Sequence, residues 1–126
     1  MISIIVHSGE WDRIYHAFSI ATTYSAVGEK VKVFLTYWAI DTVVKDRVEC
    51  GDERKNDVIR RGIEKGSVKG LEEMVALGKE FGNLEIVVCS GSMELLGYGE
   101  SDMPPWVDRV GGLAEQLMNA EKVIFI

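Results

Sequence analysis

The sequence at positions 84–92 reads Leu-Glu-Ile-Val-Val-Cys-Ser-Gly-Ser, a nearly continuous apolar run that ends in a cysteine and a short polar loop. Apolar runs of this length without polar alternation are typical of strands that are buried on both faces. Three further runs have the same character: Ile2–Val6, Val31–Leu35 and 123–126. Because helices cover both faces of parallel sheets, these runs predict a parallel sheet rather than a half-exposed antiparallel one.

Helical spacing fills the intervals between these runs. Apolar residues recur three or four positions apart over 11–25 and again over 71–81, and a glycine that can stop a helix follows each stretch. Shorter helices are predicted over 93–96 and 113–119. A fifth strand is predicted over 107–110, since two prolines precede it and two glycines follow it. The order of elements predicts an α/β fold built from βαβ units.

Length and composition restrict the class of protein. With 126 residues, 47% of them hydrophobic and 27% charged, the chain predicts one globular domain that spans residues 1–126. The net charge of −6 argues against nucleic acid as a partner, because phosphate backbones are repelled. No apolar run approaches the roughly 20 residues of a membrane span, and the first residues lack the features of a secretory signal. We therefore expect a cytoplasmic protein.

The segment 45–65 differs from the rest of the chain in composition. Thirteen of its twenty-one residues are charged, with seven basic and six acidic side chains. This mixture predicts a solvated helical insertion with few large apolar anchors. A lid or a docking element for a partner is the alternative interpretation.

Candidate functional residues follow the strands, because ligands of parallel α/β sheets bind at the carboxyl ends of the strands. Cys89 is the leading candidate, since it lies where a buried strand gives way to a helix and backbone amides there favour a thiolate nucleophile. The alternative is a small buried side chain that only closes the strand. The loop of Cys89 continues with four candidate supporting residues: Ser90, Gly91, Ser92 and Met93.

Residues after the other strands form a candidate rim. His7 could hold or relay a proton beside a thiolate, although a structural role in backbone hydrogen bonding is the more common one for such a histidine. Tyr37 and Trp38 could form an aromatic wall, or they could pack beneath a neighbouring subunit. The remaining rim candidates are Ser8, Gly111 and Gly112.

Several other chemistries do not fit the spacing. A phosphatase or rhodanese-type loop requires an arginine five or six residues after the cysteine, where Glu94 and Leu95 stand. Ser92 replaces the second cysteine of a Cys-x-x-Cys redox pair, so a disulfide would need Cys50 or another chain. The two histidines and two cysteines have no zinc-site spacing, and no nucleotide-binding glycine motif occurs. We therefore predict no metal and no cofactor.

These motifs resemble the DsrE/DsrF-like family. The cysteine loop of that family is similar to Cys89-x-x-Ser92-Met93-x-x-x-Gly97, which directly follows an apolar strand here. Other similar segments are the aromatic stretch 34–38, the opening 6–12, and the ending with Val110-Gly111-Gly112 and 122–126. The resemblance covers most of the chain except 45–65. The Cys-x-x-Ser-Met form departs from the alanine-rich loop of the family's dedicated sulfur-relay subunits.

The resemblance implies a fold, an assembly and an activity. The fold is a three-layer α/β/α sandwich around a mainly parallel five-stranded sheet, and the assembly is a homo-oligomer such as a dimer, trimer or hexamer. The activity is that of a sulfur carrier or sulfurtransferase, in which Cys89, supported by Met93 and the rest of its loop, relays a persulfide from a donor to an acceptor protein. Two alternatives are a non-catalytic module that binds a small ligand or a protein, and a redox protein that uses Cys89 with Cys50.

Overall fold

A single parallel sheet organises the chain. The computed structural model describes residues 1–126, with five strands and six helices. In chain order the elements are β1 (Ile2–Val6), α1 (Trp11–Ala26), β2 (Val31–Leu35), α2 (Trp38–Lys45), α3 (Glu53–Glu64), α4 (Leu71–Lys79), β3 (Leu84–Cys89), α5 (Ser90–Leu95), a 3-10 turn (Glu100–Asp102), β4 (Arg109–Gly111), α6 (Leu113–Leu117) and β5 (Lys122–Phe125). The strand order is β4-β3-β2-β1-β5, and every neighbouring pair is parallel. The predicted α/β class and parallel five-stranded sheet are confirmed.

The two faces of the sheet are covered unequally. Alternate side chains of the strands, such as Ile4, Val33 and Ile86, enter a large apolar cluster to which α1, α2 and α4 contribute. We call this side the first face. The opposite side, the second face, has a buried cluster of only three residues, Ile5, Phe34 and Val87.

Helix α6 supplies the third layer of the predicted sandwich. It crosses the second face beside β2 and β4, where Glu115 lies against Gly111. Because α6 has only five residues, much of the second face is open. Val123 and Phe125 of β5 are exposed there, together with Leu113, Leu117 and Met118.

Helix α3 shows that the charged segment 45–65 is anchored more firmly than its composition indicated. Asp52 caps the helix, since its side chain accepts a hydrogen bond from the backbone N–H of Lys55. Asn56 is fully buried, and its Oδ1 accepts a 2.7 Å hydrogen bond from the N–H of Cys50. Ile59 and Ile63 also pack partly against the first-face cluster. A buried amide thus replaces the large apolar anchors that the sequence lacks.

Some predicted boundaries are wrong, for local reasons. Helix α4 ends at Lys79, so Phe81 leaves the apolar stripe of the helix and is 46% exposed. Strand β4 begins at Arg109 rather than at 107, because the side chain of Asp108 accepts a 2.7 Å hydrogen bond from the N–H of Ile86. Helix α6 ends at Leu117, two residues before Asn119, which adopts a left-handed backbone conformation.

Candidate functional site

Cys89 lies at the junction of β3 and α5. It ends the strand and caps the helix, and the N–H of Ser92 donates a 3.5 Å hydrogen bond to its Sγ. The side chain of Cys89 is partly exposed. Ser92 is buried and its hydroxyl has no hydrogen-bond partner, while Met93 packs against the first-face cluster. The cysteine therefore lies on a well-anchored turn and is itself partly exposed.

The sulfur of Cys89 belongs to the second face. Residues two apart in a strand point to the same side, and Cys89 packs against the cluster that contains Val87. Its partner in the neighbouring strand β4 is Gly111, which has no side chain. Gly112, which precedes α6, follows directly. On this flank of the cysteine, the side chains of Glu115, Arg109 and Val87 fill the place that a Gly111 side chain would take.

Arg109 lies on that flank and was not predicted as a site residue. A Cβ atom added to Gly111 would lie 3.0 Å from Nη1 of Arg109 and 3.1 Å from Val87. The guanidinium is therefore close to the residue that pairs with Cys89. The arginine of a phosphatase or rhodanese-type loop follows its cysteine in the same loop, whereas Arg109 comes from the adjacent strand. No local spacing could indicate it, because the contact depends on the order of strands in the sheet.

Two carboxylates hold the guanidinium of Arg109. Its Nε and Nη2 donate to Oε1 of Glu85 at 3.2 and 3.0 Å, and its Nη1 donates to Glu115. Hydrogen bonding to Glu115 and then to Glu85 raises the pKa of Arg109. The hydrogen bond from Arg109 lowers the pKa of Glu115 below its ordinary value. The group near Gly111 is thus a stable cation that is hydrogen-bonded to two carboxylates.

His7 does not lie beside the cysteine. It follows β1 and is level with Thr36 of β2 and Cys89 of β3, since Val6 pairs with Leu35 and Leu35 pairs with Val88. Two strand spacings, about 10 Å, therefore separate its backbone from that of Cys89. The N–H of His7 donates a 2.7 Å hydrogen bond to the carbonyl of Ile126. The geometry gives no direct proton path from the imidazole to the sulfur.

His7 instead belongs to a group of aromatic rings at the rim. Its ring centroid is 4.9 Å from that of Tyr37 and 6.2 Å from that of Phe125. Tyr37 and Trp38 are 42% and 52% exposed, with centroids 6.4 Å apart. We call His7, Tyr37, Trp38 and Phe125 the aromatic rim.

The backbone of the rim is strained and closely packed. Tyr37 has φ 45° and ψ −120°, a conformation that side-chain-bearing residues rarely adopt and that costs about 1–3 kcal/mol. Any Cβ on Gly9 would lie 2.9 Å from Cβ of Trp38, so this glycine allows the first loop to approach α2. Ser8 accepts a 3.1 Å hydrogen bond from the N–H of Glu10 and has a turn-forming role.

Cys50 lies on the other side of the sheet. It is 1% exposed within the first-face cluster, and burial raises the pKa of its thiol. Since Cys89 faces the second side, the sheet separates the two sulfurs. A disulfide between them would require the packed sheet to open, which removes the geometric basis for the redox alternative.

The side chains also bear on metal and membrane binding. No three histidine, cysteine, aspartate or glutamate side chains are arranged so that they could hold a metal ion. None of the helices combines the length and the apolar character that crossing a bilayer requires.

These features define the class of protein: a small α/β protein with a parallel sheet and a cysteine at the point where β3 ends and a helix begins. The family model described as the DsrE/DsrF-like family matches residues 2–125, and the chain belongs to this family. At the level of the family, this membership supports a sulfur-relay role or a related one.

Individual relatives match this chain at low sequence identity. The chain is 23% identical to the uncharacterized protein YrkE of Bacillus subtilis (strain 168), over 95% of this chain and 91% of YrkE. The crystal structure of the ychN protein from E. coli superposes with a TM-score of 0.69 at 14% identity, covering 99% of this chain and 97% of the other. MTH1491 of Methanobacterium thermoautotrophicum, a protein of unknown function, gives 0.57 at 15% identity with the same coverage.

Proposed function

We propose that this protein carries sulfane sulfur on Cys89 as a cytoplasmic sulfur-relay protein of the sulfurtransferase type. The observation that supports the proposal most strongly is the position of Cys89, which is partly exposed at the end of β3 and whose Sγ accepts the Ser92 N–H. The backbone N–H of Ser92 fixes the position of this sulfur at the end of the strand.

The relay consists of two displacement steps. The Cys89 thiolate attacks the sulfane sulfur of a donor persulfide, a new sulfur–sulfur bond forms, and the donor thiolate leaves with the electron pair. In the second step an acceptor thiolate attacks the terminal sulfur on Cys89 and releases the original thiolate. No metal, cofactor or second cysteine is needed, and no electrons are gained or lost overall.

The experiment that tests this proposal is intact-mass measurement after incubation with a sulfane-sulfur donor. We expect the wild-type chain and Cys50→Ser to gain one sulfur atom, whereas Cys89→Ser gains none. Cys50→Ser is the matched control, because it removes the buried thiol and leaves the exposed one. The proposal is wrong if no form gains sulfur, or if Cys89→Ser gains it as readily as the wild type.

We also propose that a second copy of the chain covers the open part of the second face. The exposed apolar side chains of α6 and β5 form an area that is continuous with the aromatic rim. The charged groups on the same face, Lys32, Glu85, Arg109 and Glu115, pair with one another. Such a surface, apolar and internally neutral, suits a homo-oligomer interface, and sulfur donors and acceptors would then reach Cys89 at its border.

A non-catalytic binding module is the second candidate function. The strained backbone of Tyr37 favours it, because strain of this kind concentrates at ligand-binding sites. In that case Cys89 would only pack against Phe34 and Val87. Alkylation of native protein below pH 7 separates the two candidates: rapid reaction at Cys89 supports the relay, and an inert Cys89 supports the binding module.

A further inference from the structure

Arg109 has no part in the two displacement steps, although its guanidinium lies near Gly111, the residue that pairs with Cys89. Cys89 and Gly111 are paired in the sheet, and Nη1 of Arg109 is 3.0 Å from the place that a Gly111 side chain would occupy. Arg109 and Gly111 are two residues apart in β4, so the guanidinium lies on the second face with the sulfur. A donor molecule that reaches Cys89 from this face must pass beside this cation.

The two carboxylates on Arg109 differ in how firmly they are fixed. Glu85 belongs to β3, takes two of the guanidinium hydrogen bonds and also lies 3.8 Å from Lys32. Glu115 belongs to the short helix α6 and is 47% exposed, with Gln116 as its other hydrogen-bonding partner at 2.9 Å. Glu115 can therefore rotate into solvent at little cost, because exposed ion pairs contribute little to stability.

If Glu115 moved away from Arg109, the charged groups that remain on this face would carry one unbalanced positive charge. Two cations, Lys32 and Arg109, face two anions, Glu85 and Glu115, so the departure of one carboxylate creates a vacancy for another oxyanion. The guanidinium fork binds carboxylates and sulfonates through parallel hydrogen bonds, which a neutral group cannot match. Glu115 and Arg109 both fill the space beside Gly111, so the departure of Glu115 would also open room between the guanidinium and the residue that pairs with Cys89.

We propose that Arg109 selects the sulfur donor: an oxyanion group of the donor, carboxylate or sulfonate, displaces Glu115 from the guanidinium and brings the sulfane sulfur to Cys89. This inference rests on the proposed sulfur-relay function. With thiosulfate, the Cys89 thiolate bonds to the outer sulfur, the bond between the two sulfurs of thiosulfate breaks, and sulfite leaves with the electron pair. With cysteine persulfide, the leaving group is cysteine thiolate.

The experiment compares rates of persulfide formation on Cys89 with three donors of different charge. Thiosulfate carries a sulfonate-like group, cysteine persulfide carries a carboxylate, and 2-hydroxyethyl persulfide carries neither. We expect Arg109→Gln to slow the two oxyanion donors by about tenfold or more, with a higher half-saturating concentration, and to leave the third unchanged. We expect Glu115→Gln to accelerate the oxyanion donors, because the competing carboxylate is gone.

Two further arginine variants serve as controls. Arg13→Gln removes another arginine that is paired with a glutamate, Glu10, but lies on α1, and it should change no rate. Arg109→Lys keeps the charge beside Glu85 without the fork, so it should show the same selective loss if Arg109→Gln does not fold. Dependence of only one oxyanion donor on Arg109 would identify the group as sulfonate or as carboxylate.

The outcomes separate this inference from the function on which it rests. If no donor places sulfur on the wild-type Cys89, the relay itself is wrong and the inference falls with it. If sulfur is transferred but the Arg109 variants slow all three donors equally, or slow none, the relay stands and donor selection by Arg109 is wrong.

Discussion

The stability lost when a side chain of this protein is truncated depends on how deeply that side chain is buried, and two phenylalanines illustrate the point. Phe18 of α1 is fully buried in the first-face cluster, in edge-to-face contact with Trp106 at 5.6 Å. Phe81 follows the same apolar spacing in the sequence but lies beyond the end of α4, where solvent reaches it.

Truncation of these two side chains should therefore have unequal effects. We expect Phe18→Ala to lower the free energy of unfolding by about 3–5 kcal/mol, because it removes buried area and leaves a cavity. Phe81→Ala should cost less than about 1 kcal/mol. Chemical denaturation of both variants measures the difference, and equal losses would mean that the exposed position of Phe81 is incorrect.

At the scale of elements, one polar link joins α2 to the loop after α5. The hydroxyl of Tyr98 donates a 2.7 Å hydrogen bond to Asp41, whose other oxygen accepts from Lys45 at 2.8 Å. The hydrogen bond from Lys45, followed by that from Tyr98, lowers the pKa of Asp41. A carboxylate with a lowered pKa stabilises the fold above the ordinary carboxyl pKa, and this contribution disappears as the pH falls through the lowered value.

Removal of the Tyr98 hydroxyl should therefore have a pH-dependent effect. We expect Tyr98→Phe to destabilise the protein by about 1 kcal/mol at pH 7, and the difference from wild type to shrink as acid protonates Asp41. Urea unfolding at pH 7 and near pH 3 provides the measurement. Tyr24→Phe is the control, since its hydroxyl makes no hydrogen bond in the protein. An effect of Tyr98→Phe that is independent of pH would contradict the link to Asp41.

The elements differ in how far the sequence predicts them, and the reasons are physical. Strands β1, β2 and β3 are predicted because continuous β-branched runs have few other stable arrangements. Helix α2 is not among the elements that the sequence predicts. The stretch Thr36-Tyr37-Trp38 indicates an open rim, whereas the helix begins at Trp38 after the strained Tyr37. Cys89 was predicted as a candidate from its place after a strand, but Arg109 depends on contacts across strands that local patterns do not contain.

At the scale of the whole molecule, the uneven covering of the sheet predicts self-association. Phe125 is 70% exposed on the second face, at the border of the aromatic rim. We expect Phe125→Glu to raise the dissociation constant of the oligomer at least about tenfold, because a carboxylate buried in an apolar interface loses its hydration. The folded monomer should be little affected, since the side chain is exposed within one copy.

Sedimentation over a range of concentrations measures this effect. Val27→Glu is the matched control, because Val27 is 73% exposed but lies at the end of α1, the helix that packs on the first face. Its oligomeric state should equal that of the wild type. A wild-type chain that sediments as a monomer at micromolar concentration, or equal masses for the wild type and Phe125→Glu, would contradict the assignment of this face as an interface.

The separation of the two thiols by the sheet has a practical consequence. A maleimide dye offered to the folded chain meets one accessible cysteine at the edge of the second face, while the other is sealed among aliphatic side chains. An environment-sensitive fluorophore can therefore be attached at a single position without altering the sequence. Its emission would change when a second copy or a donor molecule covers that face, so the native chain carries its own attachment point for an optical sensor.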